Sequence, residues 1–271
     1  MAKRVLHRVF IIVISLSIAL VLNVFSFVNK FAEVTPKRLD INGEHAYSRP
    51  RGSQVSGFKD SNAMYHRSPC PALNVLANHG YLPRDGKEVT PQVLQQALVN
   101  VYNLDTSLAE FLVSTLPVQF SLADLGVHNY VEHDASLVHD DSWTGGDPSS
   151  VNTTLATSLL SRANKDQHLT KMTLAAYRRE REAFSAANTP DFEETFTAQR
   201  ELTSYSEAAV LLLVMGEYST TSVSADHART FLVEERIPDD YRKPPVPITL
   251  FQTLWVMLQM KMFALLSPVI A

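Results

Sequence analysis

The chain reads as an all-α protein: one mainly helical domain with little sheet, behind an N-terminal transmembrane helix. Three observations carry this expectation. Proline follows a capping residue at Thr90-Pro91 and Asp147-Pro148, and opens a helical stretch at Cys70-Pro71. Proline suits the first helical turn, where its missing N–H costs nothing. Apolar–polar alternation, the mark of a half-buried strand, is scarce. Finally, Val9 to Val28 is almost wholly apolar, broken only by Ser15, Ser17, Asn23 and Ser26, and a stretch of about 20 such residues crosses a bilayer.

The anchor comes first. Lys3, Arg4, His7 and Arg8 precede the apolar run. A cleavable signal has a shorter apolar region and a small-x-small cleavage site. Phe25 to Lys30 offers no such site, so residues 1–30 are read as an uncleaved signal anchor. The early basic residues favour a cytosolic N-terminus, a bias diluted by Lys30, Lys37 and Arg38. The expectation is a single-pass membrane protein of the secretory pathway, its folded domain lumenal or extracellular.

Residues 31–60 are polar and carry Pro36, Pro50, Gly43, Gly52 and Gly57; they read as a linker or irregular arm. The domain proper, 61–245, starts near Ser61. Its first helix opens at Pro71 and stops at Gly80. Thr90 caps a helix from Pro91 through Val101. Thr106 or Ser107 begins another through Leu116. Asp147-Pro148 precedes a helix from Ser149 to Ala163. Leu169 to Ala187 is helical, and its charge run Arg178 to Glu182 reads as a solvated face. Phe192 to Met215 reads as one long helix, and Ala225 to Glu234 follows. Residues 246–271 hold an apolar helix over Leu250 to Leu266 with Trp255, three methionines, Gln252, Gln259 and Lys261. It is too short and too polar to span a bilayer. It suits a helix packed on the core or a partner, which admits a dimer, or a membrane-surface helix.

Composition excludes several classes. With 271 residues the chain holds one ordinary core plus appendages, and 45% hydrophobic residues exclude a disordered chain. A net charge of −4 without a basic stripe argues against a nucleic-acid partner. The single cysteine forbids an intrachain disulfide, a zinc ribbon or a CxxC pair. Gly-x-Ser-x-Gly, His-Glu-x-x-His, a phosphate loop and a dinucleotide fingerprint are absent.

That one cysteine is the strongest site signal. Cys70 sits between Pro69 and Pro71 at a helix start. The free N–H groups of Ala72 and Leu73 can point at its sulfur, and the helix dipole favours a thiolate. Such a site is expected to lower the thiol pKa and make a good anionic ligand. The structural alternative is a buried core cysteine.

Pro69-Cys70-Pro71, with Ala72 to Gly80 and then Tyr81-Leu82-Pro83-Arg84-Asp85-Gly86, resembles the proximal segment of the fungal haem-thiolate peroxidases, the family of chloroperoxidase and the unspecific peroxygenases. Val131-Glu132-His133-Asp134-Ala135-Ser136-Leu137 is similar to the family's Glu-His-Asp-x-Ser segment. Glu207, in Ser204-Tyr205-Ser206-Glu207-Ala208-Ala209-Val210-Leu211, lies where the family places a distal glutamate. Glu234-Glu235-Arg236-Ile237-Pro238 resembles a segment near the end of the domain. The blocks occur in family order and cover roughly residues 60–245.

The resemblance implies a single haem domain, haem b as cofactor and Cys70 as the axial thiolate, which favours O–O cleavage. It implies that Glu207 moves the peroxide proton from the inner to the outer oxygen. His133 would hold Glu207 by a hydrogen bond. Glu132, the backbone of His133 and Ser136 would hold Mg2+ or Mn2+ beside a haem propionate. Hydrogen peroxide and a small organic substrate are the implied partners, with the enzyme in fungal secondary metabolism. Val131 stands where chloroperoxidase carries a phenylalanine, and Val210 where another aromatic is expected; an aliphatic pocket suits an organic substrate better than halide. The alternative is a membrane-tethered haem-binding or scaffolding protein of the same fold without turnover.

Other residues have plainer readings. Glu132 to Asp134 also reads as a solvated acidic turn, with Asp134 holding the loop. Glu201 and Glu217 compete with Glu207 but suit an exposed face. His79 is expected to cap carbonyls, Asn74 and Asn78 to serve as local hydrogen bonders, and His139-Asp140-Asp141 to form an exposed loop. Asn152-Thr153-Thr154 is a glycosylation sequon, modified only in the secretory lumen.

Overall fold

The computed structural model describes residues 38–266, and the expected N-terminal anchor lies outside the described residues. Nine helices are described: α1 Pro71–Asn78, α2 Pro91–Tyr102, α3 Thr106–Val113, α4 Thr153–Leu160, α5 Lys171–Asn188, α6 Phe192–Thr195, α7 Ala198–Met215, α8 Ala225–Leu232 and α9 Leu250–Leu266. Sheet is confined to two small pairs. Strands β1 Val55–Ser56 and β2 Tyr65–His66 run parallel, while β3 His168–Thr170 and β4 Ser222–Ser224 run antiparallel. The fold is mainly helical, as the scarcity of alternation predicts. No described helix is long and apolar enough to cross a membrane.

Capping chemistry sets most helix starts. Thr90 accepts from Val93 N ahead of Pro91. Asp105, not Thr106, caps α3 by accepting from Ser107 N. Gly80, at φ +70, ends the first helical segment in the left-handed region that glycine tolerates best.

Several expected boundaries move. The helix expected over Ser149 to Ala163 begins only at Thr153. Asp147 organises a turn instead, accepting from Gly57 N at 2.9 Å and from Ser149 N at 2.9 Å, and Asn152 is the cap. Leu169 belongs to β3; α5 opens at Lys171 behind a Thr170–Thr173 capping box. The helices α3 and α8 stop at Val113 and Leu232, short of Leu116 and Glu234. The long helix expected from Phe192 breaks at Phe196 and Thr197, which leave helical backbone. Thr195-Phe196-Thr197 is a run of weak helix formers, and the stacked Phe192 and Phe196 rings, 4.6 Å apart, hold the break.

The core lies where α5, α7 and α9 pack together and continues into the α1–α8 and α2–α3 pairs. Leu76, Leu108, Leu159, Leu174, Leu212 and Met260 are fully buried in it. Helix α9 buries Thr253, Val256, Met257, Met260 and Ala264, while Phe251, Leu254, Leu258 and Met262 remain exposed. Residues 38–60 lie along the domain as an irregular arm: the His45 ring stacks on Tyr81 at 3.8 Å, and Arg49 pairs with Glu235 at 2.9 Å.

Candidate active site

Three segments carry the candidate residues: the start of α1, the loop 128–141 and the middle of α7. At the first, Cys70 is the residue before Pro71 and is accessible to solvent. Its loop is tightly tied. Asn74 Oδ1 accepts from Ser68 N at 2.9 Å, and Asn74 Nδ2 donates to Ser68 O at 2.8 Å and to Glu235 Oε1 at 2.6 Å. Glu235 is 3% exposed, sits at φ +50 and takes the Arg49 ion pair on its other oxygen. Asn78 accepts from Arg67 Nη2 at 2.9 Å and donates to the Glu235 carbonyl at 3.1 Å. A buried polar network of this kind is satisfied group by group. Sequence reading left Asn74 and Asn78 as local hydrogen bonders and gave Glu235 no role of its own; its signal was its place in the Glu234–Pro238 segment that resembles the family's.

The expected low thiol pKa is not what the structure gives. Burial, reinforced by the negative charge of Glu207, pushes Cys70 up to about 11. The N–H groups of Leu73 and Ala72 oppose this but do not prevail, and the sulfur makes no capping hydrogen bond. Desolvation outweighs the helix start. His79 ends α1 as expected, with further contacts the sequence did not show. It is the C-cap, its backbone N–H donating to Val75 O at 3.0 Å, while the side chain looks elsewhere: Nε2 accepts from Ile237 N at 3.1 Å, and Nδ1 pairs with the His45 carbonyl at 2.7 Å.

At the second segment, His133 is buried and its Nδ1 donates to the Asp134 carbonyl at 2.7 Å. That bond leaves Nε2 facing Glu207 Oε2 at 3.3 Å. Glu207 lies on α7 with 57% of its side chain exposed. Burial alone would raise its carboxyl, but His133 and then Arg178 outweigh burial and hold it below its ordinary value. Burial would likewise lower His133, and the Glu207 charge and hydrogen bond raise it instead. The pair is therefore arranged as carboxylate and imidazolium. The carboxylate is surrounded by protein charges yet partly accessible, and its charge reaches the accessible thiol of Cys70.

The loop around His133 is held from behind by α5. Arg178 Nη1 donates to Ala135 O at 2.5 Å, and Arg181 Nε to Ser136 O at 2.9 Å. Arg181 Nη2 also pairs with Asp141 Oδ1 at 3.1 Å, and that oxygen accepts from Ala135 N at 2.8 Å. Ala135 is thereby fixed at φ +59, a left-handed conformation unusual for alanine. Both arginines are buried, which corrects the solvated face expected for Arg178 to Glu182. His139 and Asp141 are buried too, not part of an exposed loop; only Asp140 is exposed. Burial drives His139 down to about 4, so it is neutral. A signal for the arginines existed: 174, 177, 178, 181 and 185 share one helical face with Leu174 and Tyr177.

The remaining candidates fall as follows. Glu132 is mostly buried, with Oε2 at 2.8 Å from His128 Nδ1. Asp134 Oδ1 accepts from Ser142 N at 2.7 Å and holds the loop, while its Oδ2 is buried without a hydrogen bond. The Ser136 carbonyl is taken by Arg181. Val131 is exposed in the turn before Glu132, and Val210 packs partly on the core one turn after Glu207. Glu201 pairs with Lys261 at 2.5 Å and borders a cavity of about 340 Å³ with Phe192 and Phe196. Glu217 accepts from Thr220 Oγ1 at 3.3 Å. Neither competitor meets His133 in these contacts. Asn152 caps α4 through Oδ1 and donates from Nδ2 to Asp140 at 2.6 Å.

Comparison with known proteins adds a separate line. Residues 45–246 match the model of peroxidase family 2. The chain is 30% identical to an aromatic peroxygenase of Cyclocybe aegerita over 212 residues, 67% of this chain and 56% of that protein. It is 35% identical to a chloroperoxidase of Leptoxyphium fumago over 78 residues, 26% of this chain and 21% of that protein. It is 25% identical to the dothistromin biosynthesis peroxidase dotB of Dothistroma septosporum over 251 residues, 75% of this chain and 56% of that protein. The chain thus spans little more than half the length of two of these relatives.

Proposed function

The chain belongs to peroxidase family 2, and on that premise we propose that it is a peroxide-dependent oxidoreductase that uses haem, held through Cys70, to oxidise a small organic substrate. The observation that carries this reading is the His133–Glu207 pair, 3.3 Å apart and close enough for the Glu207 charge to act on the Cys70 thiol.

The residues fit a haem. Cys70 is an accessible soft donor with no partner thiol, and its neutral state in the ligand-free chain follows from burial. A bound ferric ion would supply the positive charge that the thiolate lacks here. Haem, once bound, supplies the cleavage of the peroxide O–O bond and the oxidising equivalents.

The protein's own residues handle the proton. Glu207, held as a carboxylate, accepts a proton from peroxide at one carboxyl oxygen and returns it to the leaving oxygen. His133 keeps that carboxylate aimed, and the Asp134 carbonyl keeps His133 aimed. Arg178 lowers the Glu207 carboxyl further and fixes Ala135 in the same loop. Val131 and Val210 would present aliphatic surface to the substrate, favouring an organic molecule over halide. Similarity to a dothistromin biosynthesis peroxidase supports a place in secondary-metabolite formation. Val9 to Val28 would anchor the protein as a single-pass membrane protein, with the enzyme domain lumenal or extracellular and Asn152 open to glycosylation.

The test is spectroscopic. Reduced, carbon monoxide-treated protein should show the strongly red-shifted Soret band of thiolate-ligated haem, and Cys70→Ala should lose it. An unshifted band in the parent protein, or an unchanged one in the variant, refutes the ligand. Glu207→Gln should keep the Soret band and lose about 100-fold or more in peroxide turnover, the scale of a positioned acid–base group.

A further inference from the structure

Helix α9 is apolar on both of its sides. Toward the domain it buries Val256, Met257, Met260 and Ala264. On the other side Phe251, Leu254, Leu258, Met262 and Leu265 are exposed, Leu265 by 80%, and Trp255 is half-buried. Positions 251, 254, 255, 258, 262 and 265 recur at three- and four-residue steps, so they form one stripe along the helix.

The polar side chains of α9 are spent on the protein. They are Gln252, Thr253, Gln259 and Lys261. Gln252 Oε1 accepts from Thr249 N at 2.9 Å, and its Nε2 donates to the Tyr218 hydroxyl at 2.9 Å. Thr253 Oγ1 donates to Thr249 O at 3.1 Å. Gln259 Oε1 accepts from Lys171 Nζ at 2.6 Å, and Lys261 Nζ pairs with Glu201 Oε1 at 2.5 Å. The outer stripe therefore carries no charge, and the Trp255 N–H is its one side-chain donor.

A helix apolar all round belongs in an apolar surrounding, and a contiguous exposed patch marks an interaction surface. A protein partner would meet a polar rim and about one hydrogen bond per 100–200 Å², and the stripe supplies neither. A lipid interface asks for neither. It takes Phe, Leu and Trp on one helix face and settles tryptophan at headgroup level. Chain length brings such an interface within reach. Only residues 29–37 separate Val28, the end of the apolar run, from Arg38, at most about 35 Å of extended chain. Arg38 is fixed to the domain by its bridge to Arg242 and its bond to the Asp239 carbonyl, and α9 opens shortly after, at Leu250.

We propose that the outer stripe of α9 lies in the headgroup–acyl boundary of the bilayer and so sets how the tethered domain is turned toward the membrane. This rests on the anchor proposed above, and the test separates the two. The full chain, carrying Trp143→Phe so that Trp255 is its only tryptophan, is reconstituted into phosphatidylcholine vesicles with plain or brominated acyl chains. Flotation after an alkaline wash reports the anchor; Trp255 emission reports α9. Emission should be lost to brominated lipid. It should return in the double variant Leu254→Asp, Leu258→Asp, which should still fold, since both side chains are exposed, and still float. Floating protein with unquenched Trp255 overturns the α9 inference and leaves the anchor. Quenched protein that the wash removes overturns the anchor and supports α9. Protein that neither floats nor quenches overturns both. Quenching that survives the double variant also overturns the proposal, as do cross-linked pairs with Trp255 shielded from brominated lipid, which would make a second copy the occupant.

Discussion

In the proposed reaction the proton would be handled by two side chains whose ionisation is coupled. Glu207 is held below its ordinary 4.5 and His133 above its ordinary 6.5, each chiefly by the other against the opposing effect of burial. The signs are clear. The stabilisation from His133 is fully present below pH 6.5 and is lost as pH rises through its raised value. That from Glu207 is present above pH 4.5 and is lost as pH falls through its lowered value. Unfolding midpoints should therefore show the contribution of this pair most fully between these limits, and His133→Gln should flatten that part of the profile. The same variant removes the cation that holds Glu207 ionised, so the acidic limb of peroxide kcat/KM should move to higher pH. An acidic limb unchanged in His133→Gln would mean that Arg178 sets the carboxylate without it. The histidine and the glutamate were each marked in the sequence by a motif, but their 3.3 Å approach was not, because 74 residues separate them.

Among the elements, α5 governs the loop more than its sequence suggests. Arg178 and Arg181 project from one helical face into the loop 134–141, and Arg181 shares a buried ion pair with Asp141. Removing one partner of such a pair leaves an uncompensated charge. Arg181→Ala should destabilise the fold by about 3–5 kcal/mol in chemical denaturation and loosen the His133 aim, lowering turnover in the protein that remains folded. A surface-like loss under about 1 kcal/mol would show that the pair is solvated in solution. Read as a charge pattern, Arg178 to Glu182 resembles any exposed helix face; read by helical position, its arginines align with buried Leu174 and Tyr177. The same contrast explains the broken helix before α7. Apolar content argued for continuity from Phe192, but aromatic stacking and a threonine-rich junction end the first piece at Thr195.

For the molecule as a whole, helix positions were legible because caps and prolines act locally: the positions of α1 and α2 follow directly from them, and that of α9 from its apolar run. Long-range pairings were not legible: Glu235 under α1, Arg181 behind the His133 loop and His139 beside Glu207 depend on how the helices pack. Packing also splits α9 into unlike faces. Met260→Ala, in the core, should cost about 2–5 kcal/mol, while Leu258→Ala, on the exposed side of the same helix, should stay within about 0.5 kcal/mol. Equal losses would mean that both faces are covered in solution. One feature of the site reaches beyond catalysis. The chain has a single thiol, and it is accessible. A ligand seated on that sulfur would shield it from a thiol-selective reagent. Labelling carried to completion at alkaline pH, where the raised thiol ionises, and counted by mass would therefore track the fraction of chains whose Cys70 is unoccupied, making the only cysteine an internal gauge of how much of the protein has been filled.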